Sequence, residues 1–195
     1  MNKVIHAQTL GDGWVQSVKY VLENGQIIKD GSEELRECIA LRLIIEEPLK
    51  NDSIMSKYWR YDHPYFAKQR NMFDYQSRIK NYNESVNQMT RVIEMFRKKP
   101  ETKSSTVITL IPERDISKIP CLIAVDFKMR ELKVITQAFF RSQDVWNKQP
   151  FNLKLLTDLC SQITKEFGWL VGPIILDVCS AHIYMNDISE INALI

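Results

Sequence analysis

A chain of 195 residues is long enough to bury a sizeable apolar core without metal or disulfide staples, and it fits one domain over residues 1–195. With 26 Lys and Arg against 24 Asp and Glu, the formal charge of +2 gives no broad field for nucleic acid or a membrane surface, so any phosphate binding is expected to be local. Cys38, Cys121, Cys160 and Cys179 form no C-x-x-C pair, which disfavours a zinc site or a disulfide framework; with no bilayer-length apolar run and no signal-type leader, a soluble cytoplasmic protein is expected.

Asp12 followed by Trp14, Val15, Val18, Val21 and Leu22 reads as an N-capped amphipathic helix closed at Asn24-Gly25. Ile39, Leu41, Leu43 and Ile45 alternate with smaller or charged residues before Pro48, the period of a half-buried strand. Between Asn51 and Tyr82 aromatic and charged residues mix without either period, and the segment reads as irregular, its aromatics buried in loops rather than stacked on bases. Met89, Val92, Ile93 and Phe96 have helical spacing and lead into a basic turn, Arg97-Lys98-Lys99, and Pro100. Val107 to Ile111, Leu122 to Phe127 and Leu132 to Phe140 read as three strands, the last two joined at Met129-Arg130-Glu131, outlining an antiparallel region. Phe151, Leu155, Leu159, Ile163 and Phe167 predict a long helix ending at Gly168, lying against the sheet. A further strand is expected over Ile174 to Val178, with Ser180 to Tyr184 directly after it.

The chemistry concentrates in the last half, in Pro120-Cys121, Arg141-Ser142-Gln143-Asp144, Pro150-Phe151-Asn152 and Ala181-His182-Ile183-Tyr184-Met185-Asn186. Singly, each has a bland reading. A lone Cys is usually a small buried hydrophobe, Arg141 and Asp144 could form a surface ion pair, Asn152 could cap its helix, and His182 could be a satisfied core histidine. Together, in this order and spacing, they resemble the P-C, R-S-x-D, P-F-N and A-H-I-Y-x-N motifs of the thymidylate synthase family, and most of all its short, archaeal-type members. The match runs more faintly upstream through Tyr75-Gln76-Ser77-Arg78, the helix around Gln88-Met89, and Pro100. His6 and His63 belong to no such group and are expected to be structural.

The resemblance implies an α+β sandwich, a mixed sheet packed by helices, that forms a homodimer through its sheet faces with the active site near the interface. It implies transfer of a one-carbon unit from 5,10-methylenetetrahydrofolate to C5 of a uridine nucleotide, dUMP first, without a metal. A pyrimidine C5 is a poor nucleophile until a group adds at C6, and Cys121 would be that group, its thiolate favoured by a nearby cation. Arg141 is the candidate cation and would also hold the phosphate with its guanidinium fork, with Ser142 adding a hydrogen bond. Asn152 would read N3–H and O4 of uracil, His182 and Tyr184 would hold the sugar hydroxyl, and Asp144 would hold the folate or an ordered water. The alternatives are a pyrimidine nucleotide hydroxymethylase, a nucleotide-binding homologue without turnover, and a purely structural dimer.

The chain also departs from the family pattern. Where an Arg-Arg pair reaches across the dimer to the partner's phosphate, it has Pro100-Glu101-Thr102-Lys103-Ser104-Ser105, leaving Lys103 as the cation expected to serve. No Glu occurs between Glu47 and Glu84, where the family has one that organises water, so Asp62 or Asp74 is expected to substitute. Ser180 stands where many members have Asp, and the residues after Asn186 are too few for the long closing tail of bacterial-type enzymes.

Overall fold

A computed structural model describes residues 3–58 and 74–194. In chain order the elements are β1 (Lys3–Ala7), α1 (Leu10–Asn24), β2 (Gln26–Asp30), β3 (Glu33–Ile45), α2 (Ser53–Tyr58) and α3 (Tyr75–Lys80). Then follow α4 (Gln88–Lys98), β4 (Thr106–Ile108), β5 (Leu122–Arg130), β6 (Lys133–Asp144), α5 (Gln149–Phe167), β7 (Leu170–Tyr184), a 3-10 turn (Met185–Asp187) and α6 (Ile188–Leu194). The strands form one mixed seven-stranded sheet in the order β1-β3-β7-β6-β5-β4, with β2 also on β3. The β1/β3 and β6/β7 pairs are parallel and the others antiparallel. The fold is therefore α+β, a mixed sheet with six helices among the described residues.

One face of the sheet is apolar because alternate residues of its strands are apolar, Leu41, Leu43 and Ile45 on β3 and Ile174, Leu176 and Val178 on β7, all buried. Helices α1 and α5 cover that face. Gly13 of α1 permits the contact, since a Cβ there would lie 2.3 Å from Ile45 Cδ1. Trp14 stacks on Trp146 at 5.1 Å and meets Tyr58 edge-on at 5.3 Å, pairs that each add about 0.5–1.5 kcal/mol beyond their buried area. Helix α5 ends at Gly168, whose φ of +68° is the left-handed conformation that closes helices. The opposite face is mixed: Ile39, 66% exposed, and Phe139 lie with a bidentate Arg42–Asp177 pair (2.6 and 3.0 Å) and Gln137, which donates to Asp177 at 2.7 Å.

Several expectations need correction. Thr9, not Asp12, caps α1, accepting from the Asp12 N–H at 3.3 Å, while Asp12 reaches back to the Gln8 N–H. The segment expected to be irregular contains two short helices, α2 and α3; the rest of it, with Asp62 and His63, lies outside the described residues. The strand expected over Val107 to Ile111 runs instead from Thr106 to Ile108; beyond it the Thr109 N–H still donates to the Ile123 carbonyl at 3.0 Å, and its hydroxyl donates to the Leu122 carbonyl. The β5–β6 turn is Glu131-Leu132, both with positive φ, two residues beyond the expected start. Strands β1 and β2 were not expected; the antiparallel region expected over β4, β5 and β6 is present, and the parallel pairs β1/β3 and β6/β7 make the whole sheet mixed, as the resemblance implied. No helix among the described residues is long and apolar enough to cross a membrane.

Candidate active site

A cleft of about 630 Å³ opens where β3, β7 and β6 meet the loop before β5 and the start of α5. Cys121, Arg141, Ser142, Asp144, Asn152, His182 and Tyr184 all line it. Lys103 does not: it is exposed in the turn after α4, away from its own chain's cleft.

Of the four cysteines, only Cys121 lies in this cleft. Burial pushes the Cys38 and Cys160 thiols up, which makes them poor nucleophiles, and Cys179 lines a separate hollow beside Arg42 and Phe139. The backbone N–H groups of Cys121 and Leu122 both donate to Tyr75 Oη at 3.2 Å, tying the start of β5 to α3. Burial pushes the Tyr75 phenol up, so it stays neutral and serves as acceptor. Arg141 donates from Nε to the Pro120 carbonyl at 3.1 Å and from Nη2 to the Ile119 carbonyl at 2.7 Å. Its own N–H donates to the Cys121 carbonyl at 2.9 Å. The guanidinium is thus fixed beside the cysteine loop, with Nη1 left for an anion.

Asn152 is 3% exposed, yet its Oδ1 has no hydrogen-bond partner among the described residues. An unmet buried acceptor costs about 1–3 kcal/mol, which suits a group kept for a ligand. The cap reading fails, because α5 starts at Gln149 and Asn152 sits inside its first turn, its N–H donating to the Lys148 carbonyl at 3.1 Å. Pro150, set early in the helix, helps to start it in place of a side-chain cap. The surface ion-pair reading fails too: Arg141 is spent on backbone carbonyls, while Asp144 accepts from the Asn147 N–H at 2.9 Å. Burial pushes the Asp144 carboxyl up, against the pull of Asn147. The His182 and Tyr184 rings meet edge to face at 5.4 Å. Burial, then Asp144 and other acidic neighbours, hold the Tyr184 phenol up, so it remains a hydrogen-bond donor.

Asp74 proves to be a helix cap, accepting from the Ser77 N–H at 2.9 Å, and the Ser77 hydroxyl, then its N–H, hold the carboxyl below the usual range. It does not line the cleft. Glu37 does, together with Gln143, Lys118 and Lys148, none of which the sequence reading had singled out as site residues. Tyr75 had a signal in the faint upstream match. Glu37 had none, since only strand register brings it to His182.

The thymidylate synthase family model matches residues 50–195. A protein of Methanosarcina acetivorans named "Putative thymidylate synthase" is 31% identical over 199 residues, covering 96% of this chain and 92% of its own length. A protein of the same name from Methanococcoides burtonii is 30% identical over 207 residues, covering 100% and 95%. Another, from Methanothermobacter marburgensis, is 27% identical over 212 residues, covering 95% of each.

Proposed function

The chain belongs to the thymidylate synthase family, and on that premise we propose that it transfers a one-carbon unit to C5 of a uridine nucleotide, dUMP first, through a covalent bond between Cys121 and C6 of the base. The observation that carries this reading is the convergence of Cys121, Arg141, Asn152, His182 and Tyr184, from the loop before β5 and from β6, α5 and β7, on one cleft. Cys121 adds at C6, which makes C5 nucleophilic, and leaves again when the substituted ring regains its double bond. Arg141, held beside the cysteine loop by the Ile119 and Pro120 carbonyls, binds the phosphate, with Ser142 assisting. Asn152 meets N3–H of uracil with the Oδ1 that has no partner among the described residues, and O4 with its Nδ2. His182 and Tyr184 hold the sugar hydroxyl.

When bound, 5,10-methylenetetrahydrofolate supplies the one-carbon unit and, for a methyl product, the hydride. The cleft fits such a group: its volume of about 630 Å³ lies within the range of ligand sites. Gln143 Nε2 is a second buried polar atom there without a partner among the described residues, and Lys118 and Lys148 suit an acidic tail. Asp144, with its carboxyl pushed toward the neutral form, holds the folate or an ordered water near the ring.

The working unit of this reading is a cytoplasmic homodimer joined through the mixed sheet face that carries Ile39, Phe139 and the Arg42–Asp177 pair. Lys103, away from its own cleft, then reaches the phosphate held in the partner's. The deciding experiment is release of tritium from [5-³H]dUMP in the presence of 5,10-methylenetetrahydrofolate, with mass spectrometry of the product base to separate methyl from hydroxymethyl. No tritium release, with dUMP, UMP, dCMP and CMP each supplied, overturns the reading.

A further inference from the structure

His182 sits in the middle of a row across three strands, paired in register with Asp144 on β6 and with Glu37 on β3. Its Nδ1 lies 3.5 Å from two hydroxyls, Ser142 Oγ and Ser180 Oγ. Ser180 in turn donates its hydroxyl to Glu37 Oε1. A carboxylate can only accept, so the direction of that bond is fixed and Ser180 has used its one hydrogen. It faces His182 with lone pairs alone. The contact between them therefore requires the histidine proton to be on Nδ1, which leaves Nε2 of the neutral ring as an acceptor. Ser142 can turn either way; accepting from the same N–H keeps its own hydrogen for the phosphate. Asp144, the other carboxyl of the row, is occupied by the Asn147 N–H.

We propose that Glu37 is a positioning residue: acting through Ser180, it fixes the proton of His182 on Nδ1 and presents Nε2 as the acceptor for the sugar hydroxyl of the bound nucleotide. The assignment of the hydroxyl rests on the nucleotide reading above, whereas the relay from Glu37 through Ser180 to His182 stands on the hydrogen-bond geometry alone.

Histidine-selective ¹⁵N labelling of the full chain, without ligand, reads the relay directly, with the His182 signals identified by their loss in His182→Gln. At alkaline pH, where the ring is neutral, the wild-type protein should show a pyrrole-type Nδ1 and a pyridine-type Nε2. Glu37→Ala and Ser180→Ala should each shift the ring toward the Nε2–H form that free imidazole side chains prefer. Combining Glu37→Ala with Ser180→Asp, which moves the carboxylate to the adjoining strand, should restore the Nδ1–H form. A pyridine-type Nδ1 in the wild type, or an unchanged spectrum in both single variants, overturns the proposal. A second arm compares the dissociation constants of dUMP and its 3′-deoxy analogue. Loss of the hydroxyl should weaken wild-type binding about tenfold and Glu37→Ala binding about twofold. Equal ratios in the two proteins remove Glu37 from sugar recognition. An ordered Nδ1–H ring in a protein that binds no dUMP retires the sugar assignment together with the nucleotide reading, and supports only the relay.

Discussion

Tyr75→Phe removes one oxygen and tests whether the cysteine loop is held from α3. Tyr75 Oη accepts from two backbone donors, the N–H groups of Cys121 and Leu122, each at 3.2 Å. Leu122 is fully buried, so its N–H is left unmet, at about 1–3 kcal/mol; the part-buried Cys121 N–H can turn to water and loses about 0.5–1 kcal/mol. The sum, about 1.5–4 kcal/mol, corresponds to a melting temperature lower by about 3–16 °C in a chain of this length. Because the freed segment carries Cys121, the proposed nucleophile, kcat should fall by about tenfold or more through its misplacement. Tyr82→Phe is the matched control: its hydroxyl donates to the Leu110 carbonyl at 2.8 Å and touches nothing in the cleft. It should cost about 1 kcal/mol and leave kcat alone. Calorimetry and tritium release on both variants decide the matter. Equal losses of kcat in the two variants, or a Tyr75→Phe protein as stable and active as wild type, would refute the assigned role of Tyr75.

Cys121→Ser should abolish tritium release while leaving the melting temperature near wild type, whereas Cys160→Ser, which places a hydroxyl in the core, should lower stability without touching the site. Asn152→Asp should move the ratio of uridine to cytidine nucleotide binding toward cytosine, and an unchanged ratio would mean that Asn152 does not read the base. Burial pushes Asp115 up, but Arg78 (2.7 and 2.6 Å) and the Ile111 N–H (2.6 Å) outweigh it and hold the carboxyl below its usual range. The unfolded chain therefore takes up that proton more readily, and the stability that Asp115 supplies at neutral pH should fade as pH falls through about 4. Asp115→Asn should cost about 3 kcal/mol at pH 7 and flatten the acid limb of a plot of melting temperature against pH. Lys103→Ala and Arg141→Ala should each weaken nucleotide binding, and tagged heterodimers of the two should regain one intact site; no recovery would show that the phosphate site is not shared between subunits.

Helices α1, α4 and α5 were legible because each carries a sustained apolar stripe, and the cleft was legible because its motifs are contiguous in sequence. What failed depended on pairing. Strand β1 has only five residues, and its place beside the second half of β3 follows from the packing of α1, not from any local pattern. The β5–β6 turn uses Glu131-Leu132 at positive φ where Asn-Gly would have announced it. The bland reading of Asn152 as a helix cap, set aside for the motif match, fails because Pro150 helps to begin the helix earlier and leaves the amide inside it. Glu37 was invisible for the same reason as β1: nothing local to β3 tells which residue of a distant strand will stand opposite.

The same dependence on pairing explains why the site forms where it does. The β3–β7 ladder passes from Leu41–Val178 to Ile39–Ser180 with no pair at Ala40, whose φ is +59°. The β6–β7 ladder passes from Phe140–Val178 to Ser142–Ser180 without pairing Arg141, and β5–β6 shifts register between Leu122 and Ala124. Four neighbouring strands are thus interrupted along one line. A left-handed conformation at a residue with a Cβ costs about 1–2 kcal/mol, and at Ala40 the small side chain keeps the crowding low. On one side of the line Leu41 and Val178 point into the helix-covered core; on the other, Glu37, Ser142, Ser180 and His182 line the cleft. Arg141 stands at the break itself, where its side chain turns to the Ile119 and Pro120 carbonyls beside Cys121. A regular ladder would have continued the apolar alternation through these positions, so the interruption is what converts the end of a hydrophobic sheet into a polar site.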